Sequence, residues 1–402
     1  MMIRETMTTT LADAWLHTLD PVIVQLPGAF ALRWYGLAYL VGFTLGYLIL
    51  RTLAKRDALA MPPERVADAM LVLVLGVVVG GRVGYALFYD PSLLTTFRPT
   101  APFWDLLAFH RGGMASHGGM LSVAAAAWWI ARRERMHFLA LGDALALATP
   151  PGLMFGRLAN FINGELLGKI VSSPGEAAPS WSVRFPQELT ERPDEVLSRL
   201  SDAQALQLQG LVNEEAARIE AELASAGTVV VESPSVAFVL ERLIARVQDG
   251  DASLAQRMSD LLTARHPSQL YQAAAEGLVV FVVLLIVWRK PRRAGTVGGW
   301  FLITYGVGRI VTEVYRLPDL GVPEFLGLSR GQWLSAAMIV AGVGVLAYAR
   351  VKKTPMTPGW RGGAAVEEST AGNRSDTAAR SDGDASAAAK DGANDDSGDS
   401  LR

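Results

Sequence analysis

The sequence predicts an all-α membrane protein, a bundle of seven transmembrane helices. Half of the 402 residues are hydrophobic and only 19% are charged, whereas a soluble domain carries roughly a quarter charged residues. The hydrophobic residues are grouped into blocks long enough to cross a hydrocarbon core of roughly 30 Å. Basic residues also alternate between the loops that join these blocks, which is the pattern that orients membrane helices.

Seven segments have the length and hydrophobicity of a membrane span. They lie near 34–52, 67–89, 115–131, 138–161, 270–288, 298–315 and 331–350. The segments near 115 and 298 are the least hydrophobic because they contain glycines or charged residues. Such a composition is expected of helices that face the interior of a bundle.

Lys and Arg residues define the expected orientation. They follow the first, third, fifth and seventh segments, as Arg51, Lys55, Arg56 and Arg65, then Arg132, Arg133 and Arg135, then Arg289, Lys290, Arg292 and Arg293, and finally Arg350, Lys352 and Lys353. Cytoplasmic loops are enriched in these residues. We therefore expect a periplasmic N-terminus and a cytoplasmic C-terminus.

This topology divides the chain into five regions. They are an N-terminal periplasmic segment (1–33), helices 1–4 (34–163), a small periplasmic insertion (164–265), helices 5–7 (266–350) and a cytoplasmic tail (351–402). The insertion contains a helix-like part near 193–225. The tail is rich in Ala, Gly, Ser and Asp and poor in large apolar residues, which is typical of disorder.

Composition also excludes several functions. The chain has no cysteine, so it lacks disulfides, thiolate metal sites and a cysteine nucleophile, and any thiol chemistry requires a sulfur from the substrate. Without a basic domain, nucleic-acid binding is not expected. The first thirty residues lack the basic and apolar regions of a cleaved signal peptide, so we expect the spans themselves to direct insertion.

Charged side chains within the spans are candidates for a functional site, since each costs several kcal/mol unless it is paired or hydrated. Arg82 lies in the second segment. Arg157 and Asn160 lie on one face at the end of the fourth segment, and Asn163 follows them. Pro150, with its neighbour Pro151, should kink or break this helix.

The sixth segment carries Arg309, Glu313 and Arg316 at positions i, i+4 and i+7. These residues, like Arg82, are compatible with interhelical ion pairs that hold the bundle together, and for Arg82 and for Glu313 with Arg316 both interpretations stay open. Arg157 and Arg309 favour ligand contact. Both lie toward the outer half of the membrane, where phospholipid phosphates sit, and the guanidinium fork matches a phosphate.

Histidine supplies a candidate general base. His117 opens the third segment, before two glycines, and a neutral imidazole is the natural base near pH 7. His110 lies close by in sequence, but no carboxylate cluster accompanies the two, so we expect no metal. His17 and His137 lie in polar flanks, where no role is expected.

Further polar residues lie at the same outer level. Tyr35 opens the first segment among aromatic residues, where an interfacial aromatic belt and a substrate contact are equally compatible with the sequence. Residues 265–271 enter the fifth segment at this face, and their Ser and His follow no rule for a hydrolytic triad. Polar residues therefore gather at the outer mouth of the bundle, as expected of a site that handles lipids.

Taken in order, these motifs resemble the prolipoprotein diacylglyceryl transferase family. They are Arg33-Trp34-Tyr35-Gly36, Gly81-Arg82-Val83-Gly84-Tyr85, His117-Gly118-Gly119, the stretch 156–168, Arg265-His266-Pro267-Ser268-Gln269-Leu270-Tyr271, and Gly308-Arg309 with Glu313 and Arg316. The stretch 156–168 looks like the highly specific signature of the family. The resemblance covers about 34–170 and 264–350, and it does not explain the long insertion or the tail.

The resemblance implies a reaction at the bacterial inner membrane, with an active site toward the periplasm. The thiol of the lipobox cysteine in a prolipoprotein signal peptide attacks the glycerol carbon that bears the phosphate of phosphatidylglycerol. A thioether forms and glycerol 1-phosphate leaves, which is the first step of lipoprotein maturation. No metal, nucleotide or redox cofactor is implied.

The resemblance also suggests a role for each residue. His117 would be the base, and Arg157 and Arg309 would bind the phosphate. Five residues would shape the site and hydrogen-bond the substrate, namely Tyr35, Asn160, Asn163, Glu165 and Gly168. Glu313 and Arg316 would hold Arg309 in place.

Three other classes of protein are compatible with parts of the pattern. A phosphatidylglycerol-dependent glycerophosphotransferase would share the arginine site, but it would move the phosphate and need no cysteine acceptor. A lipid or solute transporter would have its polar residues near the midplane and would show repeat symmetry, and we find no convincing internal repeat. A purely structural scaffold leaves the recurrence of Arg, Asn and His at one depth unexplained.

Overall fold

The computed structural model describes residues 13–25, 31–109, 112–226, 233–318 and 326–362, and it is mostly helical. In chain order the helices are α1 (Trp34–Lys55), α2 (Val66–Phe88), α3 (Ser116–Arg133), α4 (Phe138–Asn163), α5 (Glu188–Glu191), α6 (Pro193–Leu197), α7 (Asp202–Ser225), α8 (Val236–Gln248), α9 (Ala252–Ser259), α10 (Ser268–Gln272), α11 (Val280–Val287), α12 (Thr296–Glu313) and α13 (Arg330–Val351). A π-helical segment, Ala273–Val279, joins α10 to α11.

A helix occupies each of the seven predicted segments. Five helices of the described chain are long and apolar enough to cross a membrane, namely Trp34–Lys55, Pro63–Phe88, Phe138–Asn163, Ser268–Val287 and Arg330–Val351. The other two predicted spans correspond to α3 and α12, each of 18 residues. These are the segments that the sequence marks as least hydrophobic, so their length and composition alone do not establish them as spans.

The strands are short and form three small sheets. They are β1 (Trp15–Leu16), β2 (Val22–Gln25), β3 (Ala31–Arg33), β4 (Ile170–Ser172), β5 (Val183–Arg184), β6 (Ala264–Arg265), β7 (Arg292–Arg293) and β8 (Met356–Thr357). One sheet has the order β1-β5-β6-β4, and β2-β3 and β7-β8 are two-stranded pairs. Strand β1 runs parallel to β5, and the other pairs are antiparallel.

The chain divides into two compact units. The first comprises Met1–Gly46, Ala146–Leu284 and Gly298–Leu346, and the second comprises Tyr47–Leu145, Leu285–Val297 and Ala347–Arg402. In the second unit, α2 packs closely against α3 at glycine positions. A Cβ atom on Gly118 would lie 2.3 Å from the carbonyl oxygen of Gly80 and 2.8 Å from the Cα atom of Gly84. Glycine is therefore required at Gly118 for the two backbones to approach so closely.

The second unit also orders residues just beyond α13. Strand β8 pairs with β7, and the Trp288 indole donates a hydrogen bond of 2.8 Å to the carbonyl oxygen of Pro358. The Trp360 indole donates one of 2.9 Å to the carbonyl oxygen of Leu285. The disorder predicted for 351–402 is therefore wrong as far as residue 362, because two tryptophans and a strand pair hold this part. Residues 363–402 lie outside the described residues.

In the first unit, residues 164–265 connect α4 to α10 and are called the connecting segment below. The helix expected near 193–225 is present as α6 and α7, with an interruption at 198–201. A capping box formed by Ser201 and Gln204 begins α7. The segment has its own hydrophobic core, formed by buried Leu189, Val196, Leu208, Leu211, Val212, Ile219, Val239, Leu243, Val247, Leu254, Met258, Leu261 and Leu262.

Helix α4 carries the predicted signature at its end. The helix runs without a break through Pro150 and Pro151, so these prolines do not end it, and the kink that was the other expectation stays a prediction. The residues of α4 from Ala146 onward belong to the first unit, with the π-helical segment and α12 from Gly298 onward. This unit therefore contains most of the predicted polar site.

Candidate functional site

A buried carboxylate, Glu276, joins the two arginines that the sequence selects as phosphate ligands. Glu276 lies in the π-helical segment, and its side chain is fully buried. Its Oε2 atom accepts hydrogen bonds from Arg157 Nη2 at 3.0 Å and Nε at 3.3 Å. Its Oε1 atom accepts from Arg309 Nη1 at 3.4 Å and from Thr312 Oγ1 at 3.2 Å. The sequence analysis missed Glu276, although a carboxylate inside an apolar span satisfies the criterion that identified the arginines.

A second carboxylate extends this cluster along α12. Arg309 Nη2 lies 2.9 Å from Glu313 Oε2, and Arg316 Nη1 lies 3.5 Å from Glu313 Oε1. Ser329 Oγ donates to Glu313 Oε1 at 3.0 Å. Glu313 thus contacts both Arg309 and Arg316, and the role of Glu313 and Arg316 in holding Arg309 stays a prediction.

The charges of this cluster do not cancel. Three arginines (Arg157, Arg309 and Arg316) and two glutamates (Glu276 and Glu313) give a net charge of +1 when all are ionised. The side chains of Arg157 and Arg309 remain 19% and 14% exposed, whereas Glu276 is completely enclosed. A partly accessible excess of positive charge in a weakly polar environment favours an anion as ligand.

The signature stretch forms a short loop after α4. Gly164 has a φ of +70°, which suits glycine at the end of a helix. The Glu165 main-chain N–H donates to the carbonyl oxygen of Asn160 at 3.0 Å. The side chain of Asn163 donates from Nδ2 to Glu165 Oε1 at 2.9 Å. The loop therefore brings three predicted binding residues together.

Residues 266–269 hold this loop in place. Ser268 Oγ donates to the carbonyl oxygen of Leu166 at 3.0 Å, and Gln269 Nε2 donates to that of Glu165 at 2.5 Å. A Cβ atom on Gly168 would lie 2.1 Å from the carbonyl oxygen of His266. Only a glycine allows the two backbones to approach so closely, so Gly168 shapes the loop.

Two predicted asparagines retain unused hydrogen-bonding capacity. The Oδ1 atoms of Asn160 and Asn163 are buried and accept no hydrogen bond from the described residues. The same holds for both polar side-chain atoms of Gln272, one turn before Glu276. Buried polar groups are usually paired, so unpaired amides in this unit are candidates for substrate contacts.

The aromatic residues Tyr35 and Tyr305 also belong to this site. Tyr35 is close enough to Arg157 and Glu165 to interact with their charges, and its ring packs edge-on against Tyr39 at 5.2 Å between centroids. Tyr305, which the sequence analysis did not select, is close enough to Arg157 to interact with its charge. Its position one turn before Arg309 on α12 is the only sequence signal that points to it.

The predicted base, His117, belongs to the second unit. It lies in the first turn of α3, and its exposed side chain forms no hydrogen bond with other described residues. The glycine after it, Gly118, serves the packing of α3 on α2. His110, the other histidine of this region, lies outside the described residues.

Arg82 has a structural role of a kind that the sequence did not suggest. Its buried guanidinium donates to main-chain carbonyls of the loop before α3, including Asp105 at 2.7 Å, Leu106 at 2.8 Å and Gly113 at 3.0 Å. Further bonds reach Ala108 and Gly112. Arg82 therefore pairs with main-chain carbonyl oxygens, and it does not form, with any described residue, the interhelical ion pair that was one of its two open interpretations.

A buried histidine near the end of α4 corrects another expectation. His17, for which no role was expected, is fully buried, and its Nε2 atom lies 2.8 Å from the carbonyl oxygen of Phe161. Its ring packs on Phe161 and Phe185 at 5.5 and 5.1 Å between centroids. Burial lowers the pKa of His17 to about 4. The polar flank in the sequence concealed this contact because the residues that cover His17 are more than 140 positions away.

A buried ion pair within the connecting segment holds the signature loop. Arg265 Nε lies 2.5 Å from Glu188 Oε2, and both side chains are fully buried. Arg265 Nη1 donates to the carbonyl oxygen of Gly168 at 3.2 Å. Burial raises the pKa of Glu188, and the charge of Arg265 opposes that rise. Arg265 therefore positions the loop directly, and Glu188 acts through it.

Metal binding receives no support from the geometry of the described residues, where no three His, Cys, Asp or Glu side chains form a group that could hold an ion. The net-positive cluster and the unpaired amides instead suit an organic anion. The fold defines the class of the protein, a mostly helical membrane protein with several helices long and apolar enough to span a membrane.

Comparison with known proteins gives the family. The family model described as prolipoprotein diacylglyceryl transferase matches residues 21–348, and the chain belongs to this family. Curated relatives named phosphatidylglycerol--prolipoprotein diacylglyceryl transferase include one from Bdellovibrio bacteriovorus, 36% identical over 88% of this chain and 99% of the relative. Relatives from Photorhabdus laumondii and Burkholderia thailandensis are 36% and 37% identical over 82% of this chain and 92% and 94% of their own lengths.

Proposed function

We propose that the protein transfers the diacylglyceryl group of phosphatidylglycerol to the cysteine thiol of a prolipoprotein, the first step of lipoprotein maturation. The sulfur forms a bond to the glycerol carbon that carries the phosphate ester. The bond from that carbon to the ester oxygen breaks, and its electron pair leaves with glycerol 1-phosphate. The thiol proton passes to a base. Because the enzyme has no cysteine, the only thiol in this reaction belongs to the acceptor.

The observation that carries the proposal is the sharing of Glu276 by Arg157 and Arg309. One buried carboxylate orients two guanidinium groups and leaves part of their charge uncompensated. A phosphodiester that reaches their exposed edges gains charge-assisted hydrogen bonds. These bonds strengthen as negative charge develops on the leaving oxygen, which is the requirement for stabilising the transition state.

We assign the base to His117. A free thiol has a pKa of about 8.5, so only a small fraction is thiolate near pH 7, and an imidazole that accepts the proton raises that fraction. The exposed side chain and the absence of a hydrogen-bond partner among the described residues support this assignment. Replacement of His117 by Gln should reduce turnover strongly and should flatten the acidic limb of the pH–rate profile. Near-normal turnover would exclude the role.

Acceptor recognition is assigned to polar residues of the first unit. The acceptor is the signal peptide of a prolipoprotein, with its lipobox cysteine. Asn160, Asn163, Glu165 and Tyr35 support the site because they lie in the first unit with the arginines, and two of them have unpaired amide oxygens. We expect these residues to contact lipid or peptide, whereas Gly168 shapes the loop.

We also propose seven membrane spans in a bacterial inner membrane, with the connecting segment and the active site on the periplasmic side. Helices α3 and α12 have 18 residues each, about 27 Å at 1.5 Å per residue, which is close to the hydrocarbon thickness. The absence of cysteine allows a direct test. A membrane-impermeant thiol reagent should label Ser198→Cys in whole cells and should label Lys290→Cys only after lysis. The opposite result would invert the topology.

The reaction is tested with purified protein in detergent, phosphatidylglycerol labelled on its unacylated glycerol, and a lipobox peptide with one cysteine. We expect release of labelled glycerol phosphate and a thioether on the peptide, both absent with a Cys→Ser peptide. Transfer of the label to an acceptor without a thiol would identify a glycerophosphotransferase. A lack of any release would favour a transporter. Arg157→Ala and Arg309→Ala should each abolish release, and full activity with normal lipid affinity would contradict the phosphate assignment.

A further inference from the structure

A cavity of about 400 Å³ lies beside the arginine cluster, within the first unit. Its polar lining consists of Glu165 from the signature loop, Glu191 and Arg192 from the connecting segment, and Arg316 from the end of the cluster. Leu167 and Leu317 supply apolar surface. Its volume is within the range of small-molecule sites. Arg316 connects it through Glu313 to Arg309.

Most polar groups of this lining already have partners. Glu165 Oε1 accepts from Asn163, and Arg192 Nη2 donates to the carbonyl oxygen of Pro318 at 2.6 Å. Glu191, by contrast, forms no side-chain hydrogen bond with the described residues, although its main chain continues the turn of α5. Loss of hydration, and then the charge of Glu165, raises the pKa of Glu191. Glu191 and the second carboxylate oxygen of Glu165 can therefore accept hydrogen bonds from a ligand.

The arrangement of charge restricts the ligand. An ionised carboxylate is only an acceptor, so a pair of them suits a ligand with two hydroxyl or ammonium donors. Arg192 and Arg316 line the same cavity and disfavour an ammonium group by repulsion. A neutral diol attached to a phosphate satisfies both requirements, because its hydroxyls can reach the carboxylates while its phosphate lies toward the arginines.

We propose that this cavity binds the glycerol end of the phosphatidylglycerol headgroup, with Glu165 and Glu191 accepting hydrogen bonds from its two free hydroxyls. The proposal rests on the proposed function and adds the determinant of headgroup specificity. It also gives the connecting segment a part in substrate selection. The same chemistry is present in the glycerol phosphate that leaves, so the cavity can hold the headgroup before cleavage, the product after it, or both.

The test compares phosphatidylglycerol with phosphatidylpropanol, which has the same phosphate and lacks both hydroxyls. Thioether formation on the lipobox peptide is measured for each lipid with the full-length protein in detergent. We expect the wild type to prefer phosphatidylglycerol in kcat/KM by about tenfold to a hundredfold, the range for a hydrogen bond to a charged group. In Glu191→Ala this preference should fall toward one, mainly through loss of activity on phosphatidylglycerol. Glu191→Gln retains an acceptor oxygen and should be intermediate.

A matched control is Glu241→Gln, which changes an exposed carboxylate of α8 and should keep the wild-type preference. Added glycerol 1-phosphate distinguishes whether the cavity binds the intact lipid headgroup or the released product. Inhibition that weakens in Glu191→Ala means that the cavity also binds the released product, whereas a changed preference without inhibition assigns it to the intact lipid. An unchanged ratio in Glu191→Ala, or an equal loss on both lipids, would overturn the proposal. Wild-type thioether formation would still support the proposed function in that case.

Discussion

The carboxylate of Glu276 lies 3.0 Å from the guanidinium of Arg157, although 119 residues separate them in the chain. The same carboxylate accepts a hydrogen bond from Arg309. Two cations are thus oriented by one anion that is closed to solvent, and each keeps an edge for a ligand. Under the proposed function, Glu276 positions the two phosphate-binding arginines without needing to contact the lipid.

Replacement of Glu276 by Gln should separate positioning from binding. The side chain keeps its shape but loses its charge, so two arginines lose their shared buried partner, a change that costs about 3–5 kcal/mol when a buried pair is broken. We expect a lower thermal midpoint in detergent and at least a tenfold lower kcat. The matched control is Thr312→Val, which removes one hydrogen bond to Glu276 and should cost about 1 kcal/mol. Equal effects of the two variants would refute a special role for the charge.

Arg309→Lys tests whether the shape of the guanidinium matters as well as its charge. Lysine can still pair with Glu313, but it cannot form the planar fork that binds a phosphate through two parallel bonds. We expect the KM for phosphatidylglycerol to rise about tenfold or more, with little change in thermal midpoint. Kinetics at several lipid concentrations in mixed micelles would measure this.

Arg82→Lys should lower stability and leave lipid binding unchanged, the opposite of the result expected for Arg309→Lys. All of the Arg82 hydrogen bonds described above reach main-chain carbonyls. Lysine has fewer donors, so some of these buried carbonyl oxygens would lose their partner, at a cost of about 1–3 kcal/mol each. The thermal midpoint should fall, and the KM of the remaining folded enzyme should stay near that of the wild type. A raised KM with unchanged stability would place Arg82 in the binding site instead.

Much of this organisation is visible in the sequence because it is local. Length and hydrophobicity locate the helices at all seven predicted spans, and charge inside a span selects Arg157, Arg309 and Glu313. Glu276 meets the same criterion and was overlooked, since an alanine-rich stretch surrounds it. Its pairing with two other helices is a tertiary property that spacing cannot reveal.

Other misses have the same physical origin. His17 and Trp360 occur in stretches whose composition is typical of flanks and tails, and both are ordered by partners far along the chain. Local composition reports how a segment behaves alone. It does not indicate which distant part of the chain the segment packs against, and the burial of His17 and Trp360 depends on that packing.

The burial of His17 predicts a pH dependence of local stability. Its pKa is about 4 in the folded protein against 6.5 for the free side chain, so the unfolded state binds more protons between these values. Stability should therefore fall as the pH decreases from 6.5 toward 4, by about 1.4 kcal/mol per pH unit. Hydrogen exchange of the β1 and β5 amides at pH 7.5 and 5.0, corrected for the intrinsic rate, measures this effect. His17→Asn should lose most of the dependence, and the exposed His137→Asn should not.

Gly118→Ala tests the packing of α3 on α2. The added Cβ atom would lie 2.3 Å from the carbonyl oxygen of Gly80, so the helices must move apart, and overpacking typically costs about 1–3 kcal/mol. We expect a lower thermal midpoint together with reduced turnover, because His117 precedes this position. Gly142→Ala, whose Cβ would have no neighbour within 4 Å, should be neutral or slightly stabilising. An unaltered midpoint in Gly118→Ala would contradict the tight contact.

The sheet β1-β5-β6-β4 has a consequence for biosynthesis. Its first strand ends at Leu16, its parallel neighbour begins at Val183, and β6 ends only at Arg265. A ribosome that adds about 5–20 residues per second needs roughly 10–30 s to reach that neighbour. During this time β1 has no strand with which to pair, and Arg309 has not yet been synthesised. The cluster of Arg157, Glu276 and Arg309 therefore assembles late, and under the proposed function a nascent chain stalled before α12 cannot be active.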